Sequence, residues 1–237
     1  MLQYSQKMLN IEKEIFSKIS SWQEPFGELS IRIPQSIGTY LLPSVLSKFH
    51  TQFPKVGVDI SSCIYHSLQH ELRTGIADLA FLFADSIPFS ELEVELLRVE
   101  PLILVSSPDH TLAKQSNIDV RDLIQQSIFL PKHDCSYKML FEQLLTAENI
   151  SPITYMEVNS VETIKQCVMR GIGITLIPKM SVEQEIAQKK LTALSWSQEG
   201  LETGIIMIWH KDKWLSPTLR ALMDIVREVL KSSESDI

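Results

Sequence analysis

His66 and His70 stand four residues apart in HSLQH, the spacing that puts two imidazoles on one helical face within reach of a single metal ion. A zinc site would need a third ligand, and a zinc hydrolase a general base as well. No Glu follows His66 and no further ligand is near in sequence, so the pair reads as two partly solvated histidines. The three cysteines, Cys63, Cys135 and Cys167, stand far apart with no CxxC pair. That is the pattern of reduced cytosolic thiols rather than of a disulfide framework or a metal site. Cys63 and Cys135 could face each other across a cleft, but a disulfide would require their Cα atoms to lie within about 7 Å. No nucleophile elbow, glycine-rich phosphate loop or zinc motif is present. His133 and Asp134 are only loose candidates for an acid–base pair. These residues point to a protein that holds a ligand without transforming it, with no metal and no cofactor.

The polar residues that could hold that ligand fall in four turns, each placed before a predicted helix. In the first half they are Pro34-Gln35-Ser36-Ile37 and Ser62-Cys63-Ile64-Tyr65. In the second half they are Lys132-His133-Asp134-Cys135-Ser136 and Asn159-Ser160-Val161. The first turn of a helix leaves backbone N–H groups unbonded, and several such turns around one cavity favour a polar or anionic small molecule. Gln35, Ser36, Tyr65, Lys132, Cys135, Ser136, Asn159 and Ser160 are therefore the candidate binding residues. The alternative for Ser36, Ser136 and Ser160 is that they cap helices and do nothing else. For Lys132 and His133 it is an exposed basic turn.

The elements that must position these turns follow from periodicity. Residues 29–33 alternate as a half-buried strand. Leu41, Leu42, Val45, Leu46 and Phe49 keep helical spacing, and Pro43 requires that helix to begin near Gly38 to Leu42. A strand over 56–60, a helix over 66–75 stopped by Gly75, and an apolar strand over 76–83 complete a β-α-β-α-β run. A second run has strands over 127–130, 153–158 and 173–177 and helices over 137–147 and 161–170. In it VMRGIGITLIP repeats the grammar of LRTGIADLAFLF: helix end, glycine, buried strand. A strand over 102–106 carries the chain into the second lobe. An apolar strand over 204–209 and a helix over 217–231 bring it back. The expected organisation is α/β, with lobe one over 28–105 and 204–231 and lobe two over 106–203. Two crossing strands join the lobes, and a ligand cleft lies at the strands' carboxyl ends.

Ahead of the first strand, Met1, Tyr4, Met8, Ile11, Ile15 and Trp22 make a heptad seam, interrupted by Lys18 and closed by Pro25 and Gly27. Residues 1–25 therefore read as a helix suited to pairing with a second copy. The first thirty residues lack the apolar core of a secretory signal, and no run approaches a membrane span. A net charge of −7, with 44% hydrophobic and 22% charged residues, is that of an ordinary globular domain and does not favour nucleic acid or membrane as a direct partner.

Taken in order, GELSIRIPQSIGTYLLPSVLSKFHTQFP, LRTGIADLAF, LILVSSPDHTLA and VMRGIGITLIP resemble the effector-binding domain of a LysR-type transcriptional regulator, from about Gly27 to Lys231. The heptad segment resembles that family's linker helix. The resemblance implies a two-lobed periplasmic-binding-protein-like (type 2) fold that takes a small-molecule effector, with contacts at Ser36, Tyr65 and the Cys135–Ser136 turn. Tyr65 stands where the family often has a small hydroxyl residue, which implies a partly filled or aromatic-lined pocket. The resemblance also implies a cytoplasmic homodimer, with the first lobe-one helix of one copy meeting the partner's helix that starts near Val161. DNA would be reached only through a winged helix-turn-helix, which these residues do not contain; the expectation is a regulatory fragment of a longer regulator. The second reading is a solute-binding protein of an uptake system, which the missing signal segment disfavours. An enzyme of the same architecture is the remotest.

Overall fold

Leu29, Ile31 and Ile33 alternate with Ser30 and Arg32, and the chain forms a strand there, β1 (Gly27–Ile33), whose apolar members are buried. The structure, a computed structural model, describes residues 27–63, 65–84, 86–132, 136–151, 154–196 and 201–233; the helix expected over 1–25 lies outside them. After β1 come α1 (Gln35–Tyr40), α2 (Leu42–Gln52), β2 (Val56–Ser62), α3 (Tyr65–Thr74), β3 (Leu79–Phe83) and β4 (Leu92–Ser106). The chain continues through β5 (Ser127–Pro131), α4 (Ser136–Ala147), β6 (Thr154–Val158), α5 (Val161–Met169) and β7 (Thr175–Pro178). It closes with α6 (Glu183–Ala187), β8 (Thr192–Ala193), β9 (Glu202–His210) and α7 (Pro217–Ser233).

Several boundaries differ from the sequence expectation. The helix expected to begin near Gly38 to Leu42 is α2, which starts at Leu42, but a separate short helix, α1, precedes it from Gln35, with a break at Leu41 that ends α1 and opens α2. The break is how the chain keeps Pro43 in a first turn, where its missing N–H costs nothing. Strand β4 starts ten residues before the expected 102, because charged LEVELLRVEP with its Pro101 hides strand periodicity. Strand β3 begins at Leu79 rather than 76. Gly75, at φ 73°, turns the chain, and Ala77 and Asp78 donate their N–H groups back to Glu71 and Ser30.

The chain divides into two compact units, one holding the residues up to Arg98 and from Ile205 onward, the other Val99 to Gly204. In the first unit β1 pairs in parallel with β2 and β3, and β9 pairs antiparallel with β3. Parallel neighbours require crossovers, which α1–α2 and α3 supply. Helix α3 buries Leu68 and Leu72 against Ala80 and Leu82 of β3 and Ile206 and Ile208 of β9. Helix α2 lies on α7, with Lys48 Nζ 3.0 Å from Glu228 Oε1.

In the second unit β5 and β6 are parallel, and the distal half of β4 pairs antiparallel with β7 and β8. Helix α5 packs Val161, Ile164 and Val168 against Phe129, Val105 and Ile177. It also buries Lys165, whose Nζ lies 2.6 Å from Glu185 Oε1 of α6 and 3.2 Å from Glu162 Oε2. A buried ammonium is tolerated only with such partners, so this pair ties α5 to α6.

The two glycines of VMRGIGITLIP have separate duties. Gly171, at φ 75°, ends α5: its N–H reaches Val168 O at 2.9 Å and Ile172 N–H reaches Cys167 O at 3.3 Å, the paired bonds of a Schellman turn. Gly173 brings the chain against β5. Ile174 exchanges bonds with Ser127 O and Phe129 N, both at 2.9 Å, and any Cβ on residue 173 would overlap the Ser127 carbonyl. Strand β7 therefore begins only at Thr175, two residues later than expected. Gly171→Ala should cost about 1–2 kcal/mol, the strain of a left-handed residue. Gly173→Ala should cost about 3 kcal/mol or more, because backbone must move. Urea denaturation of both variants checks the order.

After β4, His110 Nδ1 accepts the Leu112 N–H at 3.2 Å and so caps a short 3-10 turn, Thr111–Lys114. Burial holds its pKa below the ordinary 6.5, and the acceptor role also requires the neutral ring. Below pH 6.5 the unfolded chain then binds more protons than the folded one, so this contribution to stability is complete above that pH and is lost as pH falls. His110→Asn keeps a capping acceptor that does not titrate. Its urea midpoint should fall less than the wild type's between pH 7 and 5.

Candidate functional site

Parallel pairing in strict register brings the predicted turns together within each unit. In the first, Ile33 is opposite Ser62, and the Cys63 N–H reaches Ile33 O at 3.4 Å. The residues that follow, Gln35 and Ser36 after β1 and Tyr65 after β2, therefore open helices at one carboxyl edge of the sheet. In the second unit Pro131 is opposite Val158 and the Lys132 N–H reaches Val158 O at 3.1 Å. Lys132, Ser136, Asn159 and Ser160 follow those two strand ends.

The individual roles differ. Gln35 is exposed, whereas Ser36 is buried at 3% exposure. Ser36 does not cap α1: Pro34 holds the cap position without a side-chain bond, because the helix begins one residue before Ser36. Ser160 does cap α5, its Oγ accepting the Thr163 N–H at 3.3 Å. Lys132 and Asn159 are exposed. Tyr65 and Ser136 open α3 and α4, but their side chains lie outside the described residues, as do His133, Asp134 and Cys135. Cys63 is buried at 1% exposure. Among the described residues no group of three or more His, Cys, Asp and Glu could hold a metal ion.

The first turns of α1, α3 and α4 carry no acidic residue. That of α5 carries Glu162, a residue the sequence reading passed over although the NSVE order placed it one position after the helix start. Hydrogen bonding from Gln166, with help from Lys165, holds the Glu162 carboxyl below its ordinary range, so it stays ionised and offsets the positive end of α5. In the second unit Lys132, at the end of β5, is exposed, whereas in the first unit Ser36 is buried.

A sequence model described as the LysR substrate binding domain matches residues 23–231. The chain belongs to that family. It is the effector-binding domain of a LysR-type transcriptional regulator, and regulators of this kind are DNA-binding proteins rather than enzymes. A relative in Bacillus subtilis (strain 168), the uncharacterized HTH-type transcriptional regulator YwqM, is 32% identical over 229 residues, covering 96% of this chain and 78% of its own. Two solved domains share the fold at lower identity. The CcmR regulatory domain of Synechocystis PCC6803, in complex with 2-PG, is 21% identical with a TM-score of 0.76, covering 86% of this chain and 98% of its own. The effector-binding domain of QuiR, in complex with shikimate, is 21% identical with a TM-score of 0.71, covering 88% and 99%. The fold is thus the periplasmic-binding-protein-like type 2 fold of LysR regulatory domains, and the uptake-protein reading is not favoured. No helix of the described residues is long and apolar enough to cross a membrane.

The cap at Ser160 makes a contribution to stability that can be measured by itself. Ser160→Ala should cost about 1 kcal/mol, and Ser160→Asp, which restores the acceptor, should recover most of it. Thermal unfolding without added ligand reads both.

Proposed function

We propose that this domain senses a small polar or anionic effector. The contacts come from Gln35, Ser36 and Tyr65 in the first unit and from Lys132, Cys135, Ser136, Asn159 and Ser160 in the second. The observation that carries the reading is the in-register pairing of β1 with β2 and of β5 with β6, which sets two helix starts side by side at each carboxyl edge. Free N–H groups there suit carboxylate or phosphate oxygens, and Lys132 adds a charge that such a ligand would neutralise. Bound effectors in two relatives of the same fold, 2-PG and shikimate, support the ligand class.

The domain acts as a homodimer in the cytoplasm, α2 of one copy against α5 of the other, and reaches DNA through an N-terminal reader. An effector changes the regulator only to the extent that it binds one conformational state more tightly than another, and that difference is the coupling free energy delivered to DNA binding.

A thermal-shift panel of small organic acids, amino acids and phosphorylated acids tests the proposal. A true effector at a hundred times its Kd adds about 2.7 kcal/mol to native stability. Lys132→Glu and Ser160→Asp should abolish the shift given by an anionic compound while leaving the ligand-free domain folded. A panel in which both variants keep the full wild-type shift would rule the edge residues out. Sedimentation at rising concentration should show a dimer, and a strict monomer would remove the pairing.

A further inference from the structure

Helix α3 is held on its sheet by unlike contacts on its three inner faces. Leu68 and Leu72, exposed by 1% and 2%, form the stripe that faces β3 and β9. At about 100° per residue, Gln69 and Glu71 lie roughly 80° to either side of that stripe. Each makes a polar tether. On one flank Gln69 Nε2 donates to Glu91 Oε1 at 2.7 Å, at the head of β4. On the other, Arg32 Nε of β1 donates to Glu71 Oε2 at 2.6 Å, with the two side chains 13% and 19% exposed. The second Glu71 oxygen accepts Ser67 Oγ at 2.7 Å, within the first turn of the helix.

Arg32 is itself held in place. Its Nη1 lies 3.1 Å from Ser30 Oγ and 3.5 Å from Asp59 Oδ2, on the neighbouring strand. This side of β1 is polar where an apolar residue would have packed α3 more tightly. A two-leucine stripe sets the axis of a helix but leaves its rotation loosely specified, and directional bonds on opposite flanks specify it.

We infer that Arg32 and Glu71 are a positioning pair. Their bond, opposed across the helix by Gln69 and Glu91, fixes the rotation of α3, and thereby the direction of the N–H groups that open it at the carboxyl edge. The pair touches no ligand. Its consequence for effector affinity rests on that edge being an effector surface, as proposed above.

The test uses the 237-residue chain and the double variant Arg32→Met/Glu71→Leu. Replacing both partners by apolar groups of similar size leaves no buried charge, so the melting point should stay within a few degrees of wild type. The single variant Arg32→Met strands the carboxylate and should melt lower. Amide exchange across 65–74, measured without any anion, should quicken about tenfold in the double variant. Exchange across 161–169 in the other unit should not change. Inorganic phosphate is the minimal anion probe, followed by amide shifts at the four helix starts. Its apparent Kd should rise about fivefold in the double variant, a small coupling of the usual size. Arg32→Lys, which keeps one charged bond to Glu71, should recover part of both effects.

Unchanged exchange in the double variant would overturn the inference. Faster exchange with an unchanged phosphate response would remove the link between helix rotation and the edge. Faster exchange with no phosphate response even in wild type would support the tether and sink the anionic-effector reading instead.

Discussion

Everything in this domain that bears on ligand binding depends on the parallel pairing of consecutive strands. Two parallel strands cannot be joined by a tight turn, so the chain must leave each carboxyl end, cross over, and return to the amino end of its neighbour. A helix makes that crossing, and its N-terminus is left at the edge the strand has just reached. In-register alignment of Ile33 with Ser62, and of Pro131 with Val158, then brings helix starts together without any further device. Connectivity thus sets the positive ends of two helices side by side in each unit, and side chains only refine what the backbone has assembled.

The refinement is unequal between the units. The first unit offers first turns free of acids. The second carries Glu162 in the first turn of α5, and Ser160 is occupied by its own cap. The helices that carry these starts are secured by buried charge as well as by apolar packing: Lys165 with Glu185 beneath α5, and Arg32 with Glu71 beside α3. Such pairs add little net stability but penalise any geometry that separates them.

Membership of the LysR substrate-binding family places this edge chemistry in a regulator. Binding is then useful only if it distinguishes conformational states, because a ligand that binds two states equally moves neither. Rigid helix starts serve that end. A ligand gripped by N–H groups of fixed direction discriminates sharply between arrangements that present those groups well and arrangements that do not.

Local pattern was enough for the fold class. Alternation in 29–33, the apolar run of β3, and glycines after α3 and α5 made both β-α-β-α-β runs legible, because each depends on neighbours within a few residues. The positions of the candidate turns were legible for the same reason. What only the tertiary structure decided were matters of contact between distant segments. Gly173 looked like the first residue of a strand, and only the proximity of Ser127 shows it to be a point of close backbone approach. Ser36 looked like a cap, yet α1 starts one residue ahead of it, at Gln35, and Ser36 is buried. Strand β4 was read short because its proximal half takes its form from pairing partners rather than from alternation. The partnership of Arg32 with Glu71, 39 residues apart, has no periodicity to announce it. Sequence determines the preferences of short segments, and which of those preferences prevail is settled by which segments the fold brings into contact.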